Sequence, residues 1–284
     1  MPVYDRGYTN WDPPNERTWP AWWVIAKRGI AEPLKRRWLL MLVILAWGPA
    51  FGKGVAIYFK LKAGDIADLL GGDWVSIDPA GFLSFLETQR FFVFAILAII
   101  GAGLIATDRR DNGLSLYFSR PLGLKDYVGG KAAIILFYYF MVTLFPALAL
   151  CLYSYLIAPD ANSMDLLLFT PLRILIFCTA TGLSISLVLL AFSSLGTRSI
   201  FVMVWWTIMV MGTEVISAFA DVFNKGGIQV VNFLGQYHNA GSLVFGSAAR
   251  LDVSPWLSLV VALGWTAAAI AVLRWRIKPV EVVS

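Results

Sequence analysis

The chain has 284 residues, 58% of them apolar and 14% charged, with a formal net charge of +5 and a mean hydropathy of +0.70. An ordinary water-soluble domain carries about 25% charged residues, so that class is excluded. The basic excess is unevenly spread along the chain and does not call for a nucleic-acid partner.

The first 20 residues are polar and Pro-rich and lack the apolar core and small-residue cleavage site of a signal peptide. From Ala21 to Arg37 the pattern predicts an amphipathic helix. Trp22, Ala26, Ile30 and Leu34 recur every fourth residue beside Trp23, while Lys27, Arg28, Glu32, Lys35, Arg36 and Arg37 form a polar rim. A basic, Trp-bearing helix of this kind belongs in the headgroup layer, in contact with membrane lipids. The plainer alternative is an anchor that only fixes topology.

Crossing a hydrocarbon core of about 30 Å takes about 20 helical residues. Six stretches fit: Trp38 to Tyr58, Phe91 to Ala106, Ala132 to Ile157, Pro171 to Phe192, Ile200 to Ala220 and Trp256 to Leu273. The second is short and is expected to extend past Arg90 or to thin the lipid locally. Pro49 and Pro146 predict kinks, because proline removes a backbone donor and its ring meets the carbonyl four residues earlier. Gly48 with Gly52, and Thr179 with Gly182 and Ser186, offer small faces for close packing. Cys151 and Cys178 lie inside apolar runs, where a thiol acts as a small hydrophobe, so neither a disulfide framework nor a metal site is indicated. The expected division is a cytoplasmic segment over 1–37, a membrane domain over 38–273 and a cytoplasmic tail over 274–284.

Sixteen Lys and Arg fall on the N-terminal side of these spans and seven on the other, which places both termini in the cytoplasm. Between the second and third spans, on the basic side, runs DRRDNGLSLYFSRPLGLKDYVGGK. It opens on Asp108, Arg109 and Arg110, turns at Asn112 and Gly113, and continues through Leu114, Leu116, Tyr117 and Phe118. Ser119, Arg120 and Pro121 start a new turn, followed by Lys125, Asp126, Tyr127, Gly129, Gly130 and Lys131. A short helix across the membrane face, with an apolar and a charged side, is shaped to dock into a partner.

This cassette resembles the loop after the second span in type 2 ABC transporter permeases, the exporter membrane subunits driven by a separate ATPase. In that family an acidic-basic-basic group is followed by a Gly-Leu step, a Ser-Arg-Pro turn and a Tyr-x-x-Gly-Lys entrance to the third span. Here these fall on Asp108-Arg109-Arg110, Gly113-Leu114, Ser119-Arg120-Pro121 and Tyr127 to Lys131. A basic loop obeying the positive-inside bias is the plain alternative. The resemblance extends more weakly over the whole chain and does not reach a substrate. It implies an all-α integral membrane protein of six transmembrane helices with an N-terminal elbow helix and a cytoplasmic coupling helix. It further implies a multi-pass protein of a bacterial inner membrane, working as a homodimer or a heterodimer with a second permease. Two copies of an ABC ATPase would carry ATP and Mg, with no cofactor on this chain.

No catalytic site is legible. A phosphate-binding loop needs G-x-x-x-x-G-K before Ser or Thr. Gly130-Lys131 has Lys125 at the first position and Ala132 at the last, and Gly52-Lys53 has Trp47 and Gly54 there. His238, between Tyr237 and Asn239, reads as an ordinary outer-loop residue.

Charges inside apolar spans are costly and usually paired. Lys53 and Glu214 both sit roughly 21–23 Å from the inner face at about 1.5 Å per residue, with Arg173 at nearly that level. The expectation is a cluster of Lys53, Arg173 and Glu214, either on an export path or as a structural ion pair. The segment from Asp221 to Ser254 is too short and interrupted to span twice. It is similar in place and length to the re-entrant helices of type 2 permeases, with a surface loop as the alternative. Two other function classes stay open: an ion-coupled secondary transporter using Glu214, and a non-transporting anchor in an assembly or motility complex.

Overall fold

A computed structural model of the chain describes residues 19–62, 76–118, 122–157, 165–223 and 226–277, and these are helical throughout apart from short turns. Six helical stretches are long and apolar enough to cross a membrane: Arg37–Lys60, Arg90–Arg110, Leu124–Ile157, Asp165–Leu195, Ser199–Val222 and Pro255–Arg276. Each contains one of the stretches expected from hydropathy, and the short second span does extend outward, to Arg90. Six crossings bring Trp19 and Ile277 to one end of the bundle, here the near end; Arg90 and Val222 mark the far end.

The first span is α2 (Arg37–Leu45) and α3 (Gly48–Lys62), and the third is α8 (Leu124–Val142) and α9 (Leu144–Ile157); α1 (Ala21–Leu34) precedes the first. The two proline positions explain both breaks. Pro49 cannot donate to Leu45, nor Pro146 to Val142, and those are the residues at which α2 and α8 end. The second span is α5 (Arg90–Gly101) and α6 (Gly103–Arg110), preceded by the short α4 (Pro79–Thr88) and followed by α7 (Gly113–Phe118). Its break at Ala102 is bridged by Ser193, whose Oγ donates to the Ala102 carbonyl at 2.9 Å and accepts from the amides of Ile105 and Ala106.

Ser193 lies on α10 (Thr170–Leu195), which enters through a π turn at Asp165–Phe169. The fifth span is α11 (Ser199–Thr207), a π turn (Ile208–Gly212) and α12 (Thr213–Val222). After a 3₁₀ turn (Gly226–Val231) and α13 (Phe233–Phe245), the sixth span is α14 (Pro255–Arg276).

In their most apolar stretches the second, third and fourth spans are 50%, 61% and 67% buried within the chain, against 22% for each of the other three. The core is therefore α5, α8 and α10. Gly182 permits the close approach of α10 to α8: a Cβ there would stand 2.7 Å from the Tyr139 ring. By contrast, Gly48 and Gly52 meet no neighbour within 4 Å in the single chain. Met41, Ile44, Phe51, Trp205, Ile208 and Trp256 project outward, as lipid-facing side chains do.

Helix α1 docks along the first half of α8. Ile25 and the Trp22 carbonyl lie against Gly130, Gly29 faces Ile134, and Tyr138 Oη donates to the Ile30 carbonyl at 2.8 Å. The contacts advance in the same chain direction, so the two helices run side by side. The face set against α8 is thus Ile25, Ala26, Gly29 and Ile30, with Ala26 fully buried, while Trp22 and Leu34 of the apolar stripe are exposed. Packing against an α8 glycine, which hydropathy spacing does not register, decided the rotation.

At the far end the chain re-enters the bundle. After Val222 it doubles back along α12, with Gln229 Nε2 donating to Asp221 and the Phe233 amide to Thr213 Oγ1. It then returns outward as α13. Asn232 caps α13, its Oδ1 accepting from Gly235 at 2.8 Å, and Gly246 ends it at φ +66° with its amide on the Ser242 carbonyl. Tyr237 Oη hydrogen-bonds Ser184 Oγ at 2.7 Å, and Phe233 packs edge-on to Trp206 and Trp265. Gln229 and Asn232 of this irregular stretch are buried against the bundle, while Ile228 and Val231 are exposed.

Candidate functional site

Two clusters of charge lie at opposite ends of the second span, one around Asp108 and the other around Arg90.

At the near end, Asp108 leaves the last turn of α6 and meets α8. Its carboxylate accepts from Tyr127 Oη at 2.7 Å and pairs with Lys131 Nζ at 2.8 Å. Lys131 also donates to the Leu104 carbonyl at 2.9 Å and lies 5.6 Å from the Tyr127 ring centre and 5.9 Å from that of Tyr117. Arg109 turns onto the Ser194 carbonyl of α10. These contacts hold the ends of the second, third and fourth spans together and set the start of α7. Asn112, at φ 53°, makes the turn before Gly113, a left-handed conformation that Asn tolerates.

The cassette is therefore divided. Asp108, Arg109, Tyr127 and Lys131 turn inward, Tyr127 being fully buried. Arg110, paired with the neighbouring Asp111, and Lys125 face solvent; Leu114 is half-buried. Leu116 belongs to α7, whereas Ser119, Arg120 and Pro121 lie outside the described residues. Of the amphipathic segment ahead of the first span, Lys27, Arg28, Arg36 and Arg37 are exposed at the same end and Trp23 is half-buried against Trp22.

At the far end the structure corrects the expected pairing. Lys53 is buried and donates to the Gly81 carbonyl of α4, 5.5 Å from the Phe82 ring centre. No carboxylate among the described residues forms an ion pair with Arg173. Glu214 instead pairs with Arg90, and lies 3.9 Å from Arg250. Depth along a helix places charges at a level, but which faces meet depends on the order of helices around the bundle.

Glu87, at the end of α4, completes the ring. It pairs with Arg250, stands 3.5 Å from Arg90 and 3.4 Å from His238 Nε2. Five segments thus supply a closed set of alternating charges. His238 sits on α13 rather than in a loop, with its side chain only 12% exposed. Burial pushes its pKa down to about 4, and the Arg90 guanidinium adds to the shift. The Glu87 carboxylate opposes this, but it is already engaged by Arg250 and Arg90, so burial prevails and the imidazole is neutral at pH 7. Burial likewise lowers the Arg250 guanidinium. The π turn Ile208–Gly212 precedes Glu214 directly, a helix widening of a kind found often at functional sites.

From the sequence, only the spacing of Glu87 and Arg90, three residues apart, signals any part of this ring. The other pairings join residues far apart in the chain, 124 residues in the case of Arg90 and Glu214, and carry no local signature. Among the described residues there is no group of His, Cys, Asp and Glu able to hold a metal ion. No family model and no curated protein matches the chain.

Proposed function

We propose that the chain is the permease subunit of an ATP-driven ABC exporter of the type 2 class, forming half of a pathway and coupled to two copies of a separate ATPase. The observation that carries this reading is α7, a short helix between the second and third spans, braced from below by Asp108, Tyr127 and Lys131. A helix that must pass a push from a partner to the bundle needs a stiff base, and these contacts tie its base to the second and third spans, with Arg109 on the Ser194 carbonyl adding the fourth. Helix α1, laid against α8 at the same end, fits the elbow of such permeases, and the re-entrant α13 fits the cap at their far end. Homodimer or heterodimer assembly, with lipid or the second permease covering the sparsely buried first, fifth and sixth spans, follows from the same reading. ATP and Mg belong to the partner ATPase.

In this reading the near end is cytoplasmic, as the exposed Arg36, Arg37, Arg110, Lys125, Arg198 and Arg276 favour, in a bacterial inner membrane. Cysteine at Lys125 is then shielded from an impermeant thiol reagent in intact cells, while cysteine at Ile228 reacts; the reverse pattern inverts the orientation. The coupling test is co-purification of the ATPase. Arg110→Glu together with Lys125→Glu should abolish it and leave membrane insertion intact, because charge steers and orients such docking. Full ATPase recovery with this double variant removes the charged flanks of α7 as the docking surface.

A further inference from the structure

Two spaces meet at the far-end ring. One is a small, partly open chamber between α4, α5, α8, α10 and α13, with Thr143, Thr181, Tyr237 and His238 on its polar side and Val93 and Phe177 on its apolar side. The other is an open cleft lined by Thr88, Phe91, Met211 and Glu214. Glu87, Arg90 and Leu234 line both, so they are the wall between the two.

The chamber has a volume of about 40 Å³. At about 10–15 Å³ per water that is room for roughly three molecules. Its wall gives water a reason to be there, since Arg90 Nη1 is buried and makes no hydrogen bond beside its ion pair with Glu87 at 3.5 Å, and a polar group short of partners at this depth is costly. The charges also define the class of solute. Glu87 and Glu214 balance Arg90 and Arg250, and His238 is neutral, so the chamber offers no net charge to attract an ion. Hydroxyls and a guanidinium nitrogen that makes no hydrogen bond suit water and small neutral polar molecules. Thr181 lies in the fourth span, roughly 20 Å along the helix from its Leu195 end. A solute reaching it from the cleft has passed the wall of Glu87, Arg90 and Leu234.

We propose that Arg90 and Glu214 are the gate of a water-filled chamber inside a single chain, opened to small neutral polar solutes when α12 moves off α5. Glu214 is the movable leaf. Its ties are to Arg90 on α5 and, at 3.9 Å, to Arg250, whereas Glu87 remains held by Arg250 and by its own neighbours. The π turn just before Glu214 lets α12 shift without unwinding the rest of the fifth span. The proposal does not depend on an ATPase partner.

The test is labelling by iodoacetamide, a small neutral polar reagent, of the purified full chain carrying Cys151→Ala and Cys178→Ala. Thr181→Cys reports the chamber, and Leu175→Cys, exposed on the same helix, reports general loosening. Thr181→Cys should label slowly, and addition of Glu214→Gln should speed it at least tenfold with Leu175→Cys unchanged. Glu214→Asp, which keeps the charge and shortens its reach, gives intermediate acceleration and covers the case in which Glu214→Gln fails to fold. Equal Thr181→Cys rates with and without the Glu214 changes, or parallel acceleration at Leu175→Cys, overturn the proposal.

Discussion

The near-end cluster and the far-end ring use the same chemistry to different effect. Asp108, Tyr127 and Lys131 come from the ends of two consecutive spans and are locked further by the Leu104 carbonyl and two tyrosine rings. The far-end ring joins five segments, two of them short helices that do not span, and its members keep side chains between 12% and 42% exposed. A carboxylate, a lysine and a phenol closed in by neighbouring turns make a brace. Carboxylates and guanidiniums drawn from distant segments, with a chamber on one side and a cleft on the other, make a joint that can part. The two ends of one span thus teach that ion pairing alone does not say whether a site is rigid; the origin and covering of its members do.

The comparison is broken most severely at Glu87. Glu87→Ala leaves Arg90 and Arg250 with Glu214 as their one remaining shared carboxylate, and should lower the unfolding free energy by about 3 kcal/mol, given partial exposure. Thermal unfolding of the detergent-solubilised chain measures it, and a loss no larger than that of Arg110→Ala would refute the hub role.

Next is pH. His238 is held neutral with a pKa of about 4 against an ordinary 6.5. The unfolded chain therefore binds a proton that the folded chain refuses, and folding is disfavoured as pH falls. Stability is full above about 6.5, declines between 6.5 and about 4 by roughly 3 kcal/mol, and is flat in this respect below. The melting temperature of the wild type should follow that slope, and His238→Gln should flatten it.

At the near end, Asp108→Asn should cost about 2 kcal/mol, because Lys131 loses its counter-charge but keeps the Leu104 carbonyl and the rings. Tyr127→Phe, which removes one hydrogen bond, should cost about 1 kcal/mol. Equal losses at Asp108 and Tyr127 would mean that the hydroxyl, not the lysine, is the main partner. The smallest change is Arg173→Gln, expected within about 0.5 kcal/mol of wild type, since nothing in the described structure pairs with it.

Composition and periodicity sufficed to determine the class of the molecule. Six apolar runs long enough to cross a bilayer leave few other solutions, because a backbone in lipid must satisfy its own hydrogen bonds. Proline chemistry accounted for the breaks in the first and third spans, whereas the break at Ala102 in the second carried no such signal. The charged cassette after the second span was legible as a unit, and so was the interrupted character of the stretch from Asp221 to Ser254. What tertiary structure alone decided is which residues meet. Ile25 and Gly29, rather than Trp22 and Leu34, line the docked face of α1, because the glycine at 130 lets that side approach. Glu214 finds Arg90 and Arg250, rather than Lys53 or Arg173, because α4 takes up Lys53 through a backbone carbonyl and α13 folds back to bring its loop over the fifth span. Hydropathy is a property of a residue and its neighbours in the chain, whereas pairing is a property of helix order and rotation. Those depend on close packing between elements far apart in sequence, and no local pattern encodes them.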